Sequence, residues 1–170
     1  INMSTTGSVT NNVLFAIGGA AIQMWHDATN VIVSHNTIAR SMTGILVGGG
    51  DPYYIKGPND FTNVHNNIVY DNKYGISEQG STGVHNSYRN NLVYLNVAAD
   101  WQLNNGLKHI GTVAQAPQFM RYGKGALPDF RLRPGSPGIG NGTSEHAAPA
   151  DIAGKPRARE AAIDIGAFQR

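Results

Sequence analysis

Three stretches carry residues that can do chemistry. The first is Gln23-Met24-Trp25-His26-Asp27, which sets an indole beside an imidazole and a carboxylate. Such a group offers a flat ring to stack on a sugar and a titratable pair for acid–base work. The plainer reading is a Trp that covers a turn beside a solvated His–Asp pair. The second stretch is Gly48-Gly49-Gly50-Asp51-Pro52-Tyr53-Tyr54-Ile55-Lys56-Gly57-Pro58-Asn59-Asp60, a loop by every breaker signal. Tyr53 and Tyr54 are candidate ring platforms, and Lys56 is a partner for an acidic sugar. Asp51 and Asp60 are oxygen ligands that could hold calcium. Here the plainer reading is a decorated surface loop. The third is Glu78, a carboxylate whose alignment with apolar residues is taken up below.

What must position these residues is a phrase written four times. Asn11-Asn12-Val13-Leu14-Phe15 returns as His35-Asn36-Thr37-Ile38-Ala39, Asn66-Asn67-Ile68-Val69-Tyr70 and Asn90-Asn91-Leu92-Val93-Tyr94. The second residue of the phrase falls at 12, 36, 67 and 91, giving steps of 24, 31 and 24. About eight residues after each comes an echo: Ala20-Ala21-Ile22, Thr43-Gly44-Ile45, Tyr74-Gly75-Ile76 and Ala98-Ala99-Asp100-Trp101. A unit this short cannot bury its own apolar face and must stack on its neighbours. The β-branched runs broken by Asn or Gly read as strands. Three short strands per turn with like positions stacked predict an all-β parallel β-helix, rising by about 4.8 Å per turn. The repeated Asn is expected to take the left-handed bend between two strands and to join an amide ladder along the axis.

Alignment of the echoes sets Ile22, Ile45 and Ile76 inward, and with them Met24, Val47 and Glu78. A carboxylate at an inward position must end its strand, be paired, or be functional. Lys73, His85 and Arg89 are the nearest basic candidates. The outward positions are Gln23, Leu46, Ser77 and Gln102, which form no acid–base constellation, so catalytic residues stay unassigned. If one ligand site exists, Trp25, His26, the Asp51–Asp60 loop and Glu78 should meet at one corner of successive turns, within about 10 Å.

The pattern N-V-x-V-x-x-N-x-I followed by x-G-I resembles the right-handed parallel β-helix repeat of pectate lyases and their bacterial relatives. That resemblance makes the Gly-Ile strand the first sheet, the strand before the Asn the second, and the strand after it the third. It also implies that the long loop follows the first sheet, where related enzymes build the walls of a substrate groove. Related polysaccharide lyases use a basic residue to remove a proton and a cation to stabilise the enolate; no signature of those sites stands here.

After Asn104-Asn105-Gly106 the repeat dissolves. The tail runs through Ala116-Pro117-Gln118-Phe119, Leu132-Arg133-Pro134-Gly135-Ser136-Pro137-Gly138-Ile139, Asp151-Ile152-Ala153-Gly154-Lys155-Pro156-Arg157 and Asp164-Ile165-Gly166-Ala167-Phe168-Gln169. This resembles the C-terminal region of secreted bacterial β-helix proteins called choice-of-anchor Q proteins. It departs at Gln169, where an acid is usual, and at Gly140-Asn141-Gly142. Residues 1–106 therefore read as coils, about four, and 107–170 as an irregular cap. Phe119, Phe130, Leu132, Ile139, Ile163, Ile165 and Phe168 are expected to plug the open core, with Arg157 paired to Asp164 or Asp151.

Composition narrows the class. One domain suits 170 residues, and 14% charged residues with 21 glycines favour turns and ladders over amphipathic helices. No cysteine means no disulfide framework. Net charge is +2, giving no nucleic-acid stripe, and no apolar run is long enough to span a membrane. Residues 121–170 hold eight Lys/Arg against five Asp/Glu, a modest basic bias. The chain begins at Ile1, partway through a coil, which reads as a piece of a longer β-helix or as an open end that pairs with another subunit. The resemblance implies a secreted or surface protein that binds or processes polysaccharide, a lyase or hydrolase if it is an enzyme. The alternative is a non-catalytic structural or adhesin-type module.

Overall fold

The computed structural model describes residues 6–54, 56–123, 125, 127–157 and 162–170; the expectation about the first residues lies outside them. The described chain is all-β, its strands stacked into three parallel sheets. The first sheet holds β3 (Ala20–Met24), β6 (Thr43–Gly48), β9 (Tyr74–Gln79) and β12 (Ala99–Gln102). The second holds β1 (Gly7–Thr10), β4 (Val31–Ser34), β7 (Asn63–His65), β10 (Ser87–Arg89) and β13 (His109–Ile110). The third holds β2 (Val13–Phe15), β5 (Thr37–Ala39), β8 (Ile68–Tyr70) and β11 (Leu92–Tyr94). The chain visits second, third and first sheet in turn, and each strand pairs with its counterpart in the next turn. This is the arrangement of a parallel β-helix.

Register puts like residues over like. Ile22, Ile45, Ile76 and Trp101 stack in the first sheet, Val9, Val33, Val64 and Tyr88 in the second, and Leu14, Ile38, Val69 and Val93 in the third. These rows make the core, in which Val33, Ile38, Ile45, Val64, Val69 and Ile76 are fully buried. The glycine of each Gly-Ile echo is a close-approach residue: a Cβ on Gly44 would lie 2.4 Å from Val69 Cγ1, and one on Gly75 2.3 Å from the Asp100 carbonyl oxygen.

The two jobs expected of the repeated Asn belong to two different residues. The left-handed conformation falls on the residue before it: Asn11, His35, Asn66 and Asn90, with φ between 49° and 58°. The Asn that follows makes the ladder. Asn12 Nδ2 donates to Asn36 Oδ1 at 2.9 Å, Asn36 to Asn67 at 2.9 Å and Asn67 to Asn91 at 3.0 Å. Each receiving oxygen also accepts the backbone N–H of the residue below, at 2.9–3.0 Å. A second ladder runs at the corner between third and first sheets. Ser41 N–H donates to Asn72 Oδ1, and Asn72 donates to Asn96 Oδ1. Asn96 Nδ2 then donates to the Asp100 carboxylate at 2.7 Å. Asp100 stands where the two preceding turns have Gly44 and Gly75, so the turn that breaks the echo supplies a charged end to the ladder.

From Phe119 onward the tail does not plug the end of the core. Trp101, Leu103 and Leu107 pack there against the core, with Trp101 stacked on His109 at 4.4 Å. The tail runs back along the flank. Its hairpin, β14 (Phe119–Arg121) with β15 (Asp129–Leu132), and Ile165 form a second apolar cluster with Ala39, Ile68 and Leu92 on the outer side of the third sheet. The left-handed corner residues hold its backbone. Asn11 donates to the Ala150 carbonyl, Asn66 both donates to and accepts from Thr143, and Asn90 donates to the Asn141 carbonyl. The Asp164-Ile165-Gly166-Ala167 motif is the tightest fastening. Gly166 N–H meets the Asn66 carbonyl at 2.8 Å, Ala167 N–H meets Thr37 Oγ1 at 3.0 Å, and a Gly166 Cβ would strike Ile68 Cδ1 at 2.6 Å. Arg157 does not form the expected carboxylate pair. It donates to the Asp164 and Gly166 carbonyls, Gln169 Oε1 and Asn11 Oδ1, while the Asp151 carboxylate takes backbone N–H groups of Ala153, Lys155 and Gln169. Gln169 thus supplies the neutral acceptor that Arg157 uses.

Candidate functional site

The long loop does leave the corner that follows the first sheet. β3 ends at Met24, which is buried inward, so alternation turns Trp25 outward with Gln23. Gly48, Gly49 and Gly50, with φ of 82°, 86° and 106°, carry the chain across this corner. Side chains there would collide: a Cβ on Gly49 would lie 3.0 Å from Trp25 Cζ3, and one on Gly50 2.3 Å from His26 Cδ2. Only glycine gives both the left-handed backbone and the clearance.

An aromatic run follows from this packing. Trp25 meets His26 edge-on at 5.4 Å between centroids, His26 meets Tyr54 at 5.9 Å, and Tyr54 meets Tyr53 at 5.1 Å. Tyr53 is 86% exposed and Tyr54 48%. His26 is only 7% exposed beneath Gly50, so it props the loop rather than offering an imidazole to solvent. Asp27 is equally buried. Lys56 is exposed on the same loop.

The carboxylates do not join this run. Asp51 Oδ1 accepts the Tyr53 N–H at 3.0 Å and shapes the 3₁₀ turn Pro52–Tyr54. Asp60 turns to the next coil, where Oδ1 takes the His85 N–H at 2.8 Å and Oδ2 the His85 ring at 2.7 Å. Burial works to raise the Asp60 pKa, but the bonds from His85 outweigh it and hold it below the ordinary value. His85 thus engages both Asp60 oxygens, while Asp51 is engaged within its own turn.

Glu78 points inward, as its alignment with Val47 requires, and is 6% exposed. None of the expected cations meets it. Its Oε1 accepts Tyr88 Oη at 2.7 Å and Asn86 Nδ2 at 2.8 Å, and Oε2 accepts the Asn104 N–H at 2.7 Å. Asn86 Oδ1 in turn takes the Thr62 N–H, so Glu78 ends a third polar ladder much as Asp100 ends the second. Burial first, and then the Glu78 charge, push the Tyr88 phenol well above its ordinary pKa. Neutral donors satisfy the carboxylate at the edge of the coil.

Beside the aromatic run, the outer first sheet forms a groove of about 330 Å³ lined by Thr43, Leu46, Tyr74, Ser77, Glu78, Gln79 and Gln102. Ser77 Oγ donates to Gln102 Oε1 at 3.2 Å. Gln79 links groove to loop, its Oε1 lying 3.3 Å from where a Gly49 Cβ would stand. Sequence reasoning singled out Ser77 and Gln102 but missed Gln79, which the strand's alternation from Ser77 puts on the same outward face.

Elsewhere the tail buries two histidines of the second sheet and its corner. Burial and the nearby Arg157 charge lower the His35 pKa to about 3, against weaker opposition from the Gly166 and Asp164 carbonyls. Burial lowers His65 to about 4. Both rings are therefore neutral at neutral pH. No helix among the described residues is long and apolar enough to cross a membrane. Comparison with family models, curated proteins and solved structures finds no match for this chain.

Proposed function

We propose that this chain is a glycan-binding module of a right-handed parallel β-helix with about four coils, working outside the cell on a polysaccharide. The observation that carries the reading is the aromatic run Trp25–His26–Tyr54–Tyr53 ending in exposed tyrosines beside a groove of amides and hydroxyls bordered by the Glu78 carboxylate. Sugar rings present C–H faces that stack on aromatic rings and hydroxyls that bond to amide groups. Lys56 on the same loop favours an acidic sugar. The outward row Gln23, Leu46, Ser77 and Gln102 carries no acid or base, Glu78 borders the groove with its oxygens already engaged by Tyr88, Asn86 and the Asn104 N–H, and His26 is buried. These facts support binding over bond cleavage, and with it the adhesin-type module over the lyase. Resemblance of the tail to choice-of-anchor Q regions supports secretion.

The test is calorimetric titration with uronate and neutral oligosaccharides. Binding at millimolar sugar or tighter is expected, weakened about tenfold by Tyr53→Ala or Trp25→Ala, a difference of about 1.4 kcal/mol. No binding by the wild type, or binding that neither substitution changes, removes this site. Turnover of any of these sugars by the wild type overturns the non-catalytic reading.

A further inference from the structure

We propose that His65, Glu145 and His146 form a site for a divalent transition-metal ion, zinc first among them, which clips the tail to the second sheet. One ring nitrogen of each histidine and one carboxylate oxygen of Glu145 lie within 4.8 Å of one another. His65 closes β7 and is fully buried. Its Nε2 meets Ser87 Oγ at 3.0 Å, while its Nδ1 is buried with no hydrogen-bond partner. A buried ring nitrogen left unpaired in this way calls for an explanation. In the tautomer that donates Nε2–H to Ser87, Nδ1 keeps its lone pair. A hydrogen bond from the far nitrogen is how metal-binding histidines are commonly oriented.

The other two donors arrive from the tail. Thr143 is held by Asn66, and Ser34 Oγ donates to the His146 carbonyl at 3.0 Å, so the intervening residues lie against the second sheet. His146 sits at φ 55°, a left-handed position that is unfavourable for a non-glycine residue. That conformation leaves its ring 5.2 Å from the His65 ring. Its Nε2 is 3.9 Å from Glu145 Oε1. The competing cation is Arg89, whose Nε is 3.8 Å from Glu145 Oε2 in an exposed pair of little energetic weight.

Two imidazoles and one carboxylate suit zinc and its neighbours, whereas calcium and magnesium prefer all-oxygen sets. Zinc bonds of about 2.0–2.1 Å place tetrahedral donors roughly 3.4 Å apart. The donors must therefore close by up to about 1.4 Å, which the two exposed tail residues can supply. Water takes the fourth position. Because the ion joins β7 to a segment far along the chain, it favours the docked tail.

The experiment uses the full chain, treated with EDTA and titrated with zinc chloride by calorimetry, with cobalt(II) absorption as a second readout. One ion per chain, an intense visible band of tetrahedral cobalt and a higher melting temperature with zinc are expected. His146→Asn keeps a residue that tolerates the left-handed backbone, and Glu145→Gln changes an exposed side chain. Each should weaken zinc by at least about tenfold. His85→Ala, at the other imidazole–carboxylate pair, should bind like wild type. No binding by the wild type, or wild-type binding by both variants, overturns the proposal. If His146→Asn does not fold, Glu145→Gln alone decides.

Discussion

His35 should make the protein acid-labile well above the carboxylate range. The ring is fully buried between the coil corner and the tail, with its Nε2 bonded to Asn66 Nδ2 at 3.1 Å. Its pKa of about 3 in the folded state lies below the ordinary value of 6.5. The folded state therefore keeps the ring neutral while the unfolded chain takes up a proton, so stability falls as pH drops from 6.5 toward 3. Between pH 7 and pH 4.5 the loss from this residue comes to roughly 2–3 kcal/mol, at about 1.36 kcal/mol per unit. His65, with a folded pKa of about 4, contributes a loss of similar size over the same interval. Protonation of His35 would also set two cations together, since Arg157 is the second cause of the depression. The assay is urea unfolding at pH 7, 6, 5 and 4.5 on wild type and His35→Asn. Asparagine occupies this left-handed corner in the other three repeats, at Asn11, Asn66 and Asn90. The variant will be weaker at pH 7, because a ring is lost, but its stability should fall with acid by only about half as much. A slope identical to wild type between pH 7 and 4.5 would refute the argument.

Two further substitutions test the ladders and the loop. Asn67→Ala removes the middle rung, leaving the buried Asn36 N–H without its acceptor while Asn91 Oδ1 keeps the backbone N–H of residue 67, and should cost about 1–3 kcal/mol for the stranded group. Asn63→Ala, whose side chain bonds only a nearby carbonyl at the surface, should cost under about 0.5 kcal/mol in the same denaturation experiment. Gly83→Ala places a methyl group about 2.0 Å from Asp60 Cγ and should break the Asp60–His85 contact. The expected loss is about 1–3 kcal/mol, with a changed His85 ring signal by NMR. Gly57→Ala, which faces open space, is the control; equal melting temperatures for the two variants would count against the contact.

The stacked architecture was legible because register repeats identity. Asn36, Asn67 and Asn91 occupy one place in three turns, so spacing alone exposed their ladder. The second ladder follows the same steps from Ser41 to Asn72 to Asn96, yet it mixes residue types and ends in Asp100, and so it was not seen. The inward turn of Glu78 followed from alternation. Its partners did not, because cations looked necessary where Tyr88, Asn86 and a backbone N–H suffice. The burial of His26 depends on Gly50 passing over its ring, a tertiary contact that no periodicity encodes. The tail's apolar residues were recognisable, but their seat on the third sheet rests on pairings as distant as Thr37 with Ala167.

The step of 31 between Asn36 and Asn67 is repeated between Ser41 and Asn72, while Thr62 to Asn86 returns to 24. All of the surplus chain is thus spent between Gly48 and Asn59, and every rung above and below remains in phase. The polar rungs count turns of the coil and are blind to the number of residues in a turn. The glycine corner is consequently a socket: a segment of different length or composition can be spliced there without re-indexing a single pairing elsewhere. A lineage could exchange its outer loop, and an engineer could graft one, while the three sheets and the docked tail carry on unaltered.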